Sequence, residues 1–178
     1  MGGVSDDLHL RFPIGRFERP DGPLDPATRA AFIADIEALP QRLRDAVAAL
    51  GPGRLDAPYR PGGWTGRQVV HHLPDSHLNA YVRFKLTLTE SSPTIRPYDE
   101  GAWAELPDGR LAPPEISLGL LDALHRRWSL VLRNMDAAAF SRVYVHPEFG
   151  HTFTLDTALA LYSWHGRHHT AHVRSLRG

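Results

Sequence analysis

The stretch Tyr162-Ser163-Trp164-His165-Gly166-Arg167-His168-His169-Thr170-Ala171-His172-Val173 holds four histidines, at positions 165, 168, 169 and 172. It follows Leu159 and Leu161 and reads as the last helix of the chain. A helix advances about 100° per residue, so His165 and His169 stand nearly above one another, as do His168 and His172. Imidazoles at i and i+4 on one face can share a divalent metal, as on the helices of zinc proteases. At least three ligands are needed, so another segment must contribute. The other histidine-dense stretch is Gln68-Val69-Val70-His71-His72-Leu73-Pro74-Asp75-Ser76-His77. Seven of the 11 histidines fall in these two stretches. Inward-facing imidazoles pack a core poorly without a polar purpose, because each buries a ring nitrogen that needs a partner. The spacing favours a metal over the alternative of a solvated histidine-rich face. The two stretches are therefore expected to face each other across a helix bundle.

Working outward, the apolar periodicity supplies the other helices. Asp25-Pro26 opens the first, with Asp as N-cap and Pro in the first turn. Ala31, Phe32, Ile36, Leu39, Leu43, Val47 and Leu50 form its stripe, and Pro40 is expected to kink or break it. Thr65 caps a second helix running through Val69, Val70, Leu73, Leu78, Tyr81, Val82, Phe84 and Leu88. Pro74 should bend that helix beside the His71-His72 pair. Residues 90–113 form a proline-rich connector, a length that usually signals function or a lid. Pro114 opens a third helix. Val143–Thr154 alternates around a Pro147-Glu148-Phe149-Gly150 turn and predicts a short β-hairpin. Asp156 or Thr154 then caps the fourth helix. The expected architecture is all-α: a four-helix bundle in a single domain over 1–178, with an extended arm at 1–25 and the bundle over 26–178. Phe12, Ile14 and Phe17 are expected to pin the arm.

Composition narrows the function. The 20 basic and 20 acidic residues balance, which argues against a dominant nucleic-acid or anionic-membrane surface. There is no cysteine, which excludes disulfides, iron–sulfur clusters, thiolate zinc sites and a cysteine nucleophile. A metal site must therefore use histidine, carboxylate and water. The N-terminus lacks a secretory pattern and no apolar run reaches membrane length, so a cytoplasmic protein is expected.

Within the histidine stretches the choice of ligands is open. Ala158, Leu161 and Tyr162 continue the buried stripe towards His165 and His169, while His168 and His172 lie at one edge of that arc. His71 and His72 differ by about 100°, so only one easily faces an ion. His72 shares a face with Val69, Leu73 and Ser76; His71 aligns with Asp75, as an ion pair or supporting contact. Asp75, Ser76 and the Asp99-Glu100 pair are candidates for orienting groups or transferring protons. No HExxH glutamate is present, so protease-like chemistry lacks its usual base.

The chain resembles the DinB superfamily, and more closely its YfiT subfamily, described as metal-dependent hydrolases and as bacillithiol transferases. The resemblance is carried by Pro58-Tyr59-Arg60, Gly62-Gly63-Trp64-Thr65, Arg67-Gln68-Val69-Val70-His71-His72-Leu73, Asp75-Ser76-His77, residues 83–90, Ile95-Arg96-Pro97-Tyr98-Asp99 and Trp164-His165 with His168-His169-Thr170-Ala171-His172. It implies a metal held by His72, placed eight residues after Trp64, with His165 and His169. It also implies zinc or nickel as the ion, a homodimer, and a small-molecule thiol and electrophile as partners. Three neutral imidazoles leave positions for water or substrate. The ion could then deliver hydroxide, for hydrolysis of a small amide or ester, or thiolate, for thiol transfer. A non-catalytic metal-binding stress protein is the third possibility. Arg60, Arg83 and Arg96 are candidates for binding the carboxylates of an acidic thiol.

Overall fold

The computed structural model describes residues 8–148 and 150–177. Residues 1–7 of the expected arm and Phe149 of the expected turn lie outside that range. The elements are α1 (Pro26–Ala48), a 3-10 turn (Arg54–Asp56), α2 (Gly66–Thr89), α3 (Glu100–Ala104), α4 (Pro107–Leu111), α5 (Pro114–Arg133), α6 (Ala137–Phe140), β1 (Val143–His146), β2 (His151–Thr154) and α7 (Leu155–Ser175).

Local chemistry sets the helix ends. Asp25 accepts from the N–H groups of Ala27 and Thr28, both at 2.9 Å. Thr65 and Gln68 form a reciprocal capping box at the start of α2, which satisfies two amides that would otherwise lack partners. Thr154, not Asp156, caps α7, accepting from Thr157 N–H at 3.0 Å. Asp156, in the first turn, instead accepts from Arg29 (Nε–Oδ1 2.8 Å).

The four long helices form a bundle in which α1 packs against α5 and α7, and α2 packs against the same two. Helices consecutive in sequence, α1 and α2, thus lie across a diagonal, as do α5 and α7. Long connections make these crossings possible. The connector over 90–113 is not irregular throughout: it contains α3 and α4, and Ile95 N–H donates to the Val145 carbonyl at 3.0 Å, pinning it to the hairpin. The hairpin itself is as expected, antiparallel with Val143 opposite Thr154 and His146 opposite His151.

Two expectations need correction. Pro40 does not break α1, which runs unbroken through it; the proline is buried and its helix is held from both sides by α5 and α7. The arm is not extended throughout either, since residues 8–11 make a helical turn. Phe12 and Phe17 do contact α7, at ring distances of 6.0 Å to His168 and 5.9 Å to Trp164. Ile14 is exposed, so it anchors less than expected.

Two apolar clusters fill the bundle. One gathers Ile36, Phe84, Trp128, Leu159 and Tyr162; the other gathers Leu39, Leu43, Val70, Leu73, Leu121 and Val173. Along α7 the histidine-bearing turns fall between them, as does His77 on α2. No helix among the described residues is long and apolar enough to cross a membrane.

Candidate metal centre

α2 and α7 are neighbours, and that contact brings the two histidine stretches together. His72 Nε2 lies 3.2 Å from His165 Nε2. His169 completes a group whose three potential ligand atoms lie within 4.8 Å of one another. Their rings approach edge-on or tilted, at 4.5–5.2 Å between centroids, so nitrogens rather than ring faces converge. Two nitrogens each about 2.0–2.1 Å from a tetrahedral ion stand about 3.3 Å apart. The spacing of His72 and His165 therefore suits a divalent ion without rearrangement.

Electrostatics agree with geometry. Burial pushes the His72 imidazole down to about 4. Burial, reinforced by neighbouring imidazoles, holds His165 and His169 well below the ordinary histidine value. All three are thus neutral at pH 7 and carry the lone pair a metal needs.

The group opens onto a cavity of about 530 Å³. Trp64 forms one wall, its ring 4.8 Å from that of His72. Arg11, Arg60, Arg83, Glu100 and Glu148 also line it. Tyr162 accepts from Arg83 Nη1 at 3.3 Å. Burial keeps the phenols of Tyr98 and Tyr162 protonated beyond their ordinary range.

The other sequence candidates divide. Ser76, at i+4 from His72, lines the cavity. Asp75 does not: it lies about 100° away around α2, where burial and Asp108 raise its carboxyl to about 6. His71 does not pair with Asp75 either. Its Nδ1 meets Ser117 Oγ at 2.7 Å and its Nε2 meets the Ala112 carbonyl at 3.0 Å, so it ties α2 to the start of α5. Asp99 caps α3, accepting from Ala102 N–H at 2.8 Å, whereas its neighbour Glu100 reaches the cavity. Arg96 is exposed and not among the lining residues, while Arg11 of the arm is. His168 stacks on Trp164 at 4.4 Å, and His172 on Tyr59 at 3.9 Å.

Two residues had no role in the sequence reading. His77 lies with its Nε2 3.2 Å from His165 Nδ1, and His125 with its Nε2 3.0 Å from His77 Nδ1. His125 is a lone histidine on α5, with nothing local to mark it. The one available signal was remote: Pro40 leaves a carbonyl of α1 in need of a donor.

Comparison with known proteins places this geometry. The model of the DinB superfamily matches residues 35–173. Proteins of Bacillus cereus strain B4264 and Bacillus mycoides strain KBAB4, both named provisionally as metal-dependent hydrolases, are each 51% identical over 168 residues, covering 94% of this chain and 95% of theirs. The solved structure of YfiT from Bacillus subtilis, described provisionally as a metal-dependent hydrolase with an unusual four-helix bundle topology, superposes with a TM-score of 0.91 at 47% identity, covering 94% of this chain and 95% of that one. The chain therefore belongs to the DinB superfamily, with YfiT-like sequence and fold.

Proposed function

We propose that this protein is a metal-dependent enzyme in which His72, His165 and His169 hold a divalent ion, zinc or nickel, and that it transfers a low-molecular-weight, bacillithiol-like thiol to small electrophiles. The observation that carries the metal reading is the 3.2 Å approach of two Nε2 atoms from different helices beside a third imidazole. When bound, such an ion lowers the pKa of a coordinated water towards about 7 or holds a thiol as its thiolate.

The chain's own residues supply the rest. Three protein ligands would leave coordination positions for water or substrate, as catalytic rather than structural sites do. Arg11, Arg60 and Arg83 line the cavity together with Glu100 and Glu148, and their guanidinium groups suit the carboxylates of an acidic thiol. The protonated phenols of Tyr98 and Tyr162 are available to donate to a leaving group or substrate oxygen. In the transfer, the S–H and carbon–leaving-group bonds break, the C–S bond forms, and the proton departs with the leaving group.

Hydrolysis of a small amide or ester is the second reading, favoured by the names of the relatives. Both reactions use the same three imidazoles. Thiol transfer is preferred because the arginines of the cavity suit an acidic thiol and a thiol deprotonated by coordination needs no further base; Glu100 and Glu148, which also line the cavity, are the carboxylates hydrolysis would call on. A purely metal-storing role does not call for a cavity of about 530 Å³ opening on the donors.

The test mixes purified protein, zinc or nickel, bacillithiol and a chromogenic aryl halide, with a parallel arm of activated ester and amide lacking thiol. Conjugation above the uncatalysed rate, abolished by chelation, is expected. Turnover of ester or amide alone supports hydrolysis instead. No catalysis in either arm with any divalent ion rejects both.

A further inference from the structure

Pro40 has no N–H, so the carbonyl four residues earlier, that of Ile36, loses its helical donor. His125 takes that place from α5, its Nδ1 2.5 Å from the Ile36 oxygen. A carbonyl only accepts, so Nδ1 of His125 must carry the proton. Burial lowers His125 to about 4, so the ring is neutral and its Nε2 is bare. His77 Nδ1, 3.0 Å from that Nε2, must donate to it. His77 is fully buried, and a ring that donates through Nδ1 offers a bare Nε2, which accepts from His165 Nδ1 at 3.2 Å. His165 is then left with an unprotonated Nε2, the atom that faces His72. The chain of bonds runs from α7 through α2 and α5 to α1 and so engages all four long helices.

A second, shorter chain stands behind His169. His172 Nε2 meets the Arg11 carbonyl at 3.3 Å and must donate to it; its Nδ1 meets His169 Nδ1, also at 3.3 Å, and must accept from it. His169 is left with Nε2 as its lone pair. Both nitrogens of His172 are thereby engaged, although it stands in a close group with His168 and His169.

We propose that His77, His125 and His172 are positioning residues: two imidazole hydrogen-bond chains, each ended by a backbone carbonyl, lock His165 and His169 in the tautomer whose Nε2 is free for a metal. A neutral imidazole can carry its proton on either nitrogen, and the wrong choice blocks coordination. Groups that donate to or accept from ligating histidines set that choice, and their loss typically weakens metal affinity about 10–100-fold.

The first measurement needs no variant. In metal-free wild-type protein with 15N-labelled histidine, long-range proton–nitrogen spectra at neutral pH are expected to show His165 and His169 protonated on Nδ1. A proton on Nε2 of His165 overturns the assignment. The second measures zinc affinity by competition with a chromophoric chelator. His77→Leu removes both hydrogen bonds at similar bulk, and is expected to weaken zinc binding about 10–100-fold and release His165 into mixed tautomers. His77→Gln, which can accept from His165 and donate to His125, is expected to restore most of the affinity. Unchanged affinity and tautomer in His77→Leu overturns the proposal. It rests on the three-histidine reading above, but the two fail separately: wild-type protein that takes up no zinc sinks that reading, whereas the metal-free spectrum still decides the hydrogen-bond chains.

Discussion

His72 and His165 stand 93 positions apart in sequence, yet their Nε2 atoms lie 3.2 Å apart. Only a shared proton or a shared ion makes such an approach favourable. On the metal reading, His72→Ala, His165→Ala and His169→Ala should each lower affinity for zinc by more than about 100-fold, beyond the loss typical of a supporting residue. His71→Gln should leave affinity near wild type, because both ring nitrogens of His71 are engaged elsewhere. Metal content after dialysis against a weak chelator checks all four. Retained occupancy in the three alanine variants would show that the ligand set is wrong.

Acid should unfold the metal-free protein early. His72 and His125 are lowered to about 4, and His77, His165 and His169 well below the ordinary 6.5, in each case mainly by burial. The unfolded chain therefore binds more protons than the folded one once pH drops below about 6.5. Stability rises with pH through that window and levels off above about 7. Each drop from 6.5 to about 4 corresponds to about 3 kcal/mol, so several together exceed a typical domain's reserve. Thermal melts from pH 8 to 4 should show a plateau and then a steep fall beginning near pH 6.5. A flat profile down to pH 4.5 would mean that these rings are not buried neutral.

The parts of this fold that were legible in sequence are those written locally. Asp25-Pro26 and Thr65 announce helix starts through side chains that reach only three residues. The His165/His169 spacing follows from helical period alone. His72 was selected over His71 by family resemblance, although its face, shared with Leu73 and Ser76, already pointed inward. What stayed hidden is long-range. His77 meets its partner 48 residues away, and His125 meets Ile36 89 residues away. Those bonds depend on which helices are neighbours, and the diagonal placement of α1 and α2 has no local signature. That α1 continues past Pro40 is hidden for the same reason: the carbonyl the proline leaves without a donor is met by His125, arriving from α5.

Arg29 and Asp156 join the start of α1 to the start of α7. The guanidinium is bidentate, with Nε to Oδ1 at 2.8 Å and Nη2 to Oδ2 at 2.9 Å, and the two side chains are only 12% and 3% exposed. Asp156 also accepts from Leu24 N–H at 3.1 Å, and Arg29 donates to the Leu24 carbonyl at 3.0 Å. Removing one partner leaves a buried, uncompensated charge, which costs about 3–5 kcal/mol. Arg29→Ala should thus lower Tm by about 6–20 °C. The double variant Arg29→Met, Asp156→Leu should recover much of that loss, because it leaves no charge behind. Equal destabilisation by single and double variants would count against the buried-pair account.

Glycine tests how closely α7 approaches its neighbour. A Cβ built on Gly166, directly after His165, would stand 2.6 Å from Leu39 Cδ2 and 3.1 Å from Cδ1. Gly166→Ala should therefore destabilise by about 1–3 kcal/mol through overpacking, despite the roughly 1 kcal/mol that alanine gains in a helix. At Gly119 in α5 an added Cβ meets nothing within 4 Å, so Gly119→Ala should stabilise by up to about 1 kcal/mol. The opposite signs separate steric contact from propensity. Leu39→Ala makes room at the first position, so combining it with Gly166→Ala should cost less than the sum of the two singles, by about 0.5–3 kcal/mol of coupling. Denaturant unfolding of the four variants measures this directly. Strict additivity would place Leu39 out of reach of position 166, and with it the close packing of α1 and α7 that carries His165 to His72.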